Sequence, residues 1–527
     1  MSTEQQRFVD ESTEQARPLE KDYLLSEWEA AVQGTPEALA RTQQAQAAYM
    51  RSWSDVGRYE AAKRYNEQAG ADAELARQIR LIYLTAAQNQ QDEATIDRLT
   101  ALESEVRGRY TNFRGRVDGA ELSDNAMDEI LAKSADSDEV RQVWEASKQV
   151  GGEVADQVRD LARVRNEAAR RQGFRDHFQR SLTLNEIDEA QLLSLFEKLE
   201  VESRKPFQSL LQAIGEERSR LFKIKTEALR PWHYADRFFQ KAPPMGAFDF
   251  DSLFAEKDPV EVASATYDGL GMEVRPVLAR SDLYARPGKN QLAFMTHIDR
   301  QGDIRTLNNL ERNHRWNETL HHELGHAVYE QYLDPQLPWL LRAPAHILST
   351  EAIALTMGSL TLDGEWLTTI LGVPAARAQA AAQAGRERRR AGDLIFTRWC
   401  LVMTNFERQM YADPEADLDA IWWDLVERYQ GLRRPEARQA PDWAAKYHVA
   451  LVPVYYQNYE LGTLVSAQLV DRIVGHAGGF VGRKAAGDWL REKFFRPGGR
   501  QDWSTHIASA TGEPLNPKYF VDRLEMR

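Results

Sequence analysis

Apolar residues recur at steps of three and four along most of the chain, and runs that alternate apolar with polar positions are scarce. Ile96, Leu99, Leu102, Val106, Tyr110, Phe113 and Val117 form one such series, which predicts a continuous amphipathic helix. Leu192, Leu195, Phe196 and Leu199 repeat the spacing, and Pro206 is expected to kink or end that helix. Pro374 precedes an alanine-rich helix from Ala375 to Ala384, a place where its fixed φ suits the first turn. The best strand is NQLAFMTHI at 290–298, preceded by Pro287-Gly288 and followed by the turn-like DRQGD. The pattern predicts a mostly α-helical protein with one small strand region. Breaks fall at QKAPPMGAFDFDS (240–252) and RRPEARQAPDW (433–443), and neither has the composition of a flexible tether. With no internal repeat and no glycine-rich phosphate loop, residues 1–527 read as one unit of two helical lobes whose boundary is not marked.

Composition narrows the function classes. A chain of 527 residues, 43% of them hydrophobic, can bury a large core. Its net charge of −13 repels phosphate backbones and argues against a nucleic-acid partner. The basic run Arg386 to Arg390, interrupted by Glu387, reads as a solvated helix face. Cys400 is the only cysteine, so neither an intrachain disulfide nor a thiolate metal cluster can form, and its apolar setting predicts a core position. The amino terminus lacks a signal-like basic flank and apolar stretch, and no apolar run is long enough to span a bilayer. The expectation is a cytoplasmic chain without membrane contact, or a secreted one if a signal has been removed.

The candidate chemistry sits in NETLHHELGHAVYEQYL at 317–333. His322-Glu323-Leu324-Gly325-His326 is an H-E-x-x-H sequence. Residues four apart share a helix face, so His322 and His326 can aim imidazole nitrogens at one ion. Glu323, beside the first histidine, can reach an attacking water as general base without binding the ion. Asn317 is the expected N-cap. Catalytic zinc takes three protein ligands and leaves a position for water. Glu351, 25 residues past His326 in HILSTEAIALTMG (346–358), could complete such a set from a second helix; taken alone it is one glutamate among many.

These residues resemble the angiotensin-converting-enzyme-like zinc peptidases, peptidyl-dipeptidases of the gluzincin group related to thimet oligopeptidase and neurolysin. DIRTLNNLERNHRWNETLHHELGH is similar to the family's segment leading into its zinc helix, and QLPWLLRAPAHILSTEAIA to the segment ending in its ligand glutamate. KYHVALVPVYYQNYELGTLVSAQL (446–469) resembles the family's carboxy-terminal catalytic stretch, and weaker similarity runs through most of the chain. The resemblance implies one Zn2+ per chain held by His322, His326 and Glu351, with Glu323 as base. It further implies oxyanion donors in Tyr459 and His448, and substrate contacts from Lys446 and Tyr456. It also implies an edge strand at Ala293 to Met295 that pairs with an extended peptide beside the zinc helix. The implied fold is a two-lobed helical peptidase with a deep channel that admits short peptides.

Four positions depart from the family pattern. An aspartate that orients a zinc histidine is Leu355 here, and an arginine tied to chloride activation is Asn458, which predicts weak chloride dependence. A glutamine that grips the substrate carboxylate is aligned with Asp236, and a histidine before the edge strand with Leu292. The last two bear on carboxy-terminal dipeptide release. Peptidyl-dipeptidase action therefore stands beside two alternatives, an endo-acting oligopeptidase and a single-residue carboxypeptidase. A non-catalytic zinc-containing peptide-binding protein is the reading from a different class.

Overall fold

The computed structural model describes residues 2–68, 70, 72–243, 248–290 and 292–525. The chain is mostly α-helical, with two small antiparallel hairpins among the described residues. It divides into two compact units, Met1–Gln90 with Phe248–Gly385 and Leu461–Phe520, and Gln91–Ala247 with Arg386–Glu460 and Val521–Arg527. The break expected at 240–252 includes 244–247, which lie outside the described residues. No helix among the described residues is long and apolar enough to cross a membrane.

In the first unit, helices Ser2–Gln33 and Pro36–Trp53 pack on each other. Thr35 caps the second by accepting the Ala38 N–H, with Pro36 at its first position. Val9, Trp53, Ile79 and Ile82 form a core with Trp339 and Leu340. A second cluster sets Trp28 against Ile298 and Leu307, with Leu24 and Phe294 beside them. It seats the hairpin Phe294–His297/Ile304–Leu307 on the first helix, in the register Phe294 to Leu307 through His297 to Ile304. The strand begins at Phe294, one residue after Ala293.

The helix His314–Gln331 carries the H-E-x-x-H sequence. Its cap is Asn313, whose side chain accepts the Trp316 N–H, and not Asn317, which lies buried one turn inside and donates to the Asn313 carbonyl. The helix Ile347–Ser359 carries Glu351, with the His346 side chain accepting the Leu348 N–H at its start. Gly325 lets these two helices approach closely. A Cβ there would stand 2.8 Å from the Ala354 Cα.

In the second unit, the series expected as one helix over 96–117 is split. Helix Glu93–Asn112 ends after Tyr110, and Val117 lies on the hairpin Gly115–Val117/Ala120–Leu122. Asp118 and Gly119 have φ of +49° and +84°, the primed turn that an Asp-Gly pair favours, and this overrides the helical period. Pro206 does not end its helix, which runs from Glu189 to Phe222. Buried Phe207, Leu210 and Ile214 continue the apolar face past the proline. Cys400 is fully buried, and Arg386 to Arg388 are exposed, as expected.

Candidate metal centre

His322 and His326 stand one turn apart with their Nε2 atoms 3.3 Å from each other. The Glu351 carboxylate enters from the neighbouring helix, placing Oε1 3.7 Å from His322 Nε2 and Oε2 3.5 Å from His326 Nε2. Ligand atoms tetrahedrally arranged about 2.0–2.2 Å from an ion are separated by about 3.3–3.6 Å. The three side chains converge on one point, at separations close to these, with each histidine facing a different oxygen of the Glu351 carboxylate. Among the described residues this is the one group of three or more such side chains that could hold a metal ion.

The protonation states agree with that geometry. Burial pushes the imidazoles of His322 and His326 down to about 4 and about 3, so both are neutral near pH 7 with lone pairs to offer. His326 Nδ1 lies 2.8 Å from Thr350 Oγ1. The tautomer that donates from Nδ1 to this hydroxyl leaves Nε2 free to ligate. Position 355, a leucine, offers no acceptor, and the group that faces His326 Nδ1 is the hydroxyl of Thr350, beside Glu351 in the chain. Burial pushes Glu351 up to about 7, and Glu323 up to about 8 with Glu351 as the next cause. Two carboxyls buried together resist ionising at once, and a cation nearby would lower both. Gly462, on the helix Tyr456–Ala477, backs the carboxylate: a Cβ there would lie 3.3 Å from Glu351 Cγ.

A cleft of about 500 Å³ opens onto His322, Glu323, His326 and Glu351. Ala293 and the strand Phe294–His297 line it. Among the described residues this strand pairs only with Ile304–Leu307, so its other edge keeps backbone donors and acceptors available. His321, the third histidine of the motif, has a structural place. Its Nδ1 faces the Asn317 carbonyl at 2.7 Å and its Nε2 faces Thr266 Oγ1 at 3.0 Å.

The remaining expected residues lie in the second unit. Lys446 is 8% exposed, and burial pushes its ammonium down to about 8. Its Nζ donates to Gln240 Oε1 at 2.8 Å and stands 5.3 to 5.6 Å from the ring centres of Phe238, Trp399 and Tyr456. Gln240, not Asp236, is thus the hydrogen-bond partner of Lys446. The Asp236 carboxylate instead accepts the N–H groups of Phe238 and Gln240 at 2.9 and 3.0 Å, fixing the turn that presents Gln240. Asp236 still acts on Lys446 through its charge, which opposes the downward push of burial.

His448 is pushed down to about 4 by burial and then by Lys446, and its Nδ1 has no partner among the described residues. Tyr456 is buried, its ring 4.9 Å from His448 and 5.9 Å from Trp399. Tyr459 is half-buried, one turn along the same helix, with its ring 5.5 Å from that of Tyr456.

No curated protein gives a significant match to the chain. A family model described as angiotensin-converting enzyme, of the M2 peptidases, matches residues 1–214 and 293–516. The unmatched stretch 215–292 holds Asp236, Gln240 and Leu292. The matched part takes in most of the chain, including both helices of the histidine–glutamate cluster, the edge strand and the segment from Lys446 to Tyr459; the chain belongs to the angiotensin-converting enzyme family of metallopeptidases.

Proposed function

We propose that this chain is a zinc-dependent peptidase that releases dipeptides from the carboxy terminus of short oligopeptides. The observation that carries the reading is the convergence of His322, His326 and Glu351 on one point beside Glu323 in one cleft. Zinc bound by these three side chains supplies Lewis acidity toward the scissile carbonyl and acidifies water. The substrate backbone pairs with the free edge of Phe294–His297, which fixes the register of the peptide in the cleft. Glu323 takes the proton from the attacking water and delivers it to the departing amine. Tyr459 and His448 donate to the carbonyl oxygen as negative charge develops there.

Lys446 with Gln240 holds the free carboxylate that defines the chain end. The pairing of a lysine with a neutral glutamine, rather than with an aspartate, supports exo-cleavage over endo-cleavage. Asn458 in place of an arginine supports weak chloride dependence.

The test is digestion of peptides with free and amidated carboxy termini, read by mass spectrometry with and without a chelator. Dipeptides released from the free-ended peptides, and abolished by chelation, are expected. Equal internal cleavage of both sets would replace the reading with an endopeptidase, and single-residue trimming with a carboxypeptidase. No cleavage of any peptide by the zinc-loaded protein would leave a peptide-binding protein. Glu323→Gln is expected to keep its metal and lose roughly 10²–10⁴-fold in kcat; a fully active variant would remove Glu323 from its role.

A further inference from the structure

Between the short helix Tyr447–Leu451 and the helix Tyr456–Ala477 the chain turns through Val452-Pro453-Val454-Tyr455. Val454 has φ of +54°, a left-handed conformation that a β-branched side chain resists strongly. Such a residue persists only where its surroundings hold it. Here both of its backbone polar groups are held by buried side chains. Its N–H donates to Glu407 Oε1 at 2.7 Å, and its carbonyl accepts from Gln457 Nε2 at 2.5 Å. Glu407 and Gln457 are 1% and 2% exposed.

A second buried group ties down the opposite arm of the turn. Arg165 donates to the Ala450 carbonyl at 2.8 Å, to Glu103 at 2.9 Å and to the Tyr411 hydroxyl at 3.3 Å. Glu407 sits on the helix Ala375–Ala412 in the stretch TNFERQM, which carries no motif. A carboxyl buried this deeply is costly, and an apolar residue would pack there at less cost. Burial pushes Glu407 up to about 8, opposed by the Val454 N–H and then by Arg165. Its hydrogen bond to the Val454 backbone falls on the strained residue itself.

We propose that Glu407 is a positioning residue: its hydrogen bond holds Val454 in the left-handed conformation and so sets the placement of His448, on one side of the turn, against Tyr456 and Tyr459 on the other. The consequence for turnover rests on the function proposed above. The restraint of the turn does not. Without the clamp, Val454 relaxes toward an ordinary conformation, and the two arms that carry the donors change their relative angle.

The test uses the full chain loaded with zinc. Glu407→Ala is expected to lower kcat by roughly 10- to 100-fold, the scale of a small misplacement of catalytic groups, with KM and metal content within about twofold of the parent. Glu407→Gln, which keeps an acceptor for the Val454 N–H, is expected to stay near parental activity. Val454→Gly, added to Glu407→Ala, is expected to recover much of the lost kcat, because glycine adopts this φ without restraint. Amide exchange over residues 447–458, read by mass spectrometry without substrate, is expected to rise in Glu407→Ala and not in Glu407→Gln. Parental kcat in Glu407→Ala, or no recovery on adding Val454→Gly, would overturn the positioning role. Unchanged exchange would overturn the clamp itself, even if the parent protein cleaves no peptide and the proposed function fails. If Glu407→Ala does not fold, the double variant and Glu407→Gln decide between the same outcomes.

Discussion

A methyl-for-hydroxyl exchange at position 350 probes how the metal site is held. Thr350 Oγ1 faces His326 Nδ1, on the far side of the ring from the nitrogen that points at Glu351. Thr350→Val keeps the shape and removes the partner. It is expected to weaken zinc binding by roughly 10- to 100-fold in a chelator competition, while Thr350→Ser binds as the parent does. Equal affinity in all three proteins would show that the hydroxyl does not orient the imidazole. Nothing in the sequence singled Thr350 out, because its part depends on the angle at which one helix meets another. The same holds for Gln240, whose partner Lys446 is 206 positions away. His322, Glu323 and His326 were legible because a helix alone brings them together, with no tertiary contact required.

At the scale of elements, the approach of helices His314–Gln331 and Ile347–Ser359 decides whether Glu351 reaches the histidines. Gly325 is a point of close approach, with backbone of Ala354 and Ile353 where a side chain would lie. Gly325→Ala forces that contact apart. Overpacking of this kind costs about 1–3 kcal/mol, so a lower melting temperature with weaker zinc affinity is expected from thermal unfolding and metal titration. A variant with parental zinc affinity would show that the site tolerates a wider helix pair. The glycine stands inside the H-E-x-x-H sequence itself, yet its packing role is invisible until the second helix is known. Element existence was otherwise well marked by periodicity, and the failures share one form. Asp118-Gly119 imposed a hairpin on a helical series, Pro206 was carried through by the apolar face beyond it, and Asn313 displaced Asn317 as the cap. In each case a local signal met a competing one of similar strength.

At the scale of the whole molecule, buried carboxyls make stability depend on pH. Glu460 is fully buried, accepts a hydrogen bond from Thr397 Oγ1 at 3.0 Å, and is pushed up to about 8, chiefly by burial. A carboxyl raised in this way holds its proton more tightly in the folded chain than in the unfolded one. Its contribution to stability is therefore complete below about pH 4.5 and is lost as pH rises through about 8. Glu460→Gln, which keeps the acceptor and cannot ionise, is expected to gain in melting temperature over the parent as pH goes from 5 to 8.5. A constant difference across that range would contradict a raised carboxyl. The mostly helical class was legible from the apolar period along the chain, whereas the boundaries of the two units, each built from segments far apart in sequence, were not.

One ion held by three side chains is the centre of the proposed chemistry. Metal content measured by mass spectrometry on the purified protein, the parent beside Glu351→Ala and His326→Ala, tests it most directly. One zinc per parent chain, lost from both variants while their helical content stays unchanged, is the predicted result. Full zinc occupancy in Glu351→Ala and His326→Ala, or a folded parent that binds no zinc when zinc is supplied, would contradict it.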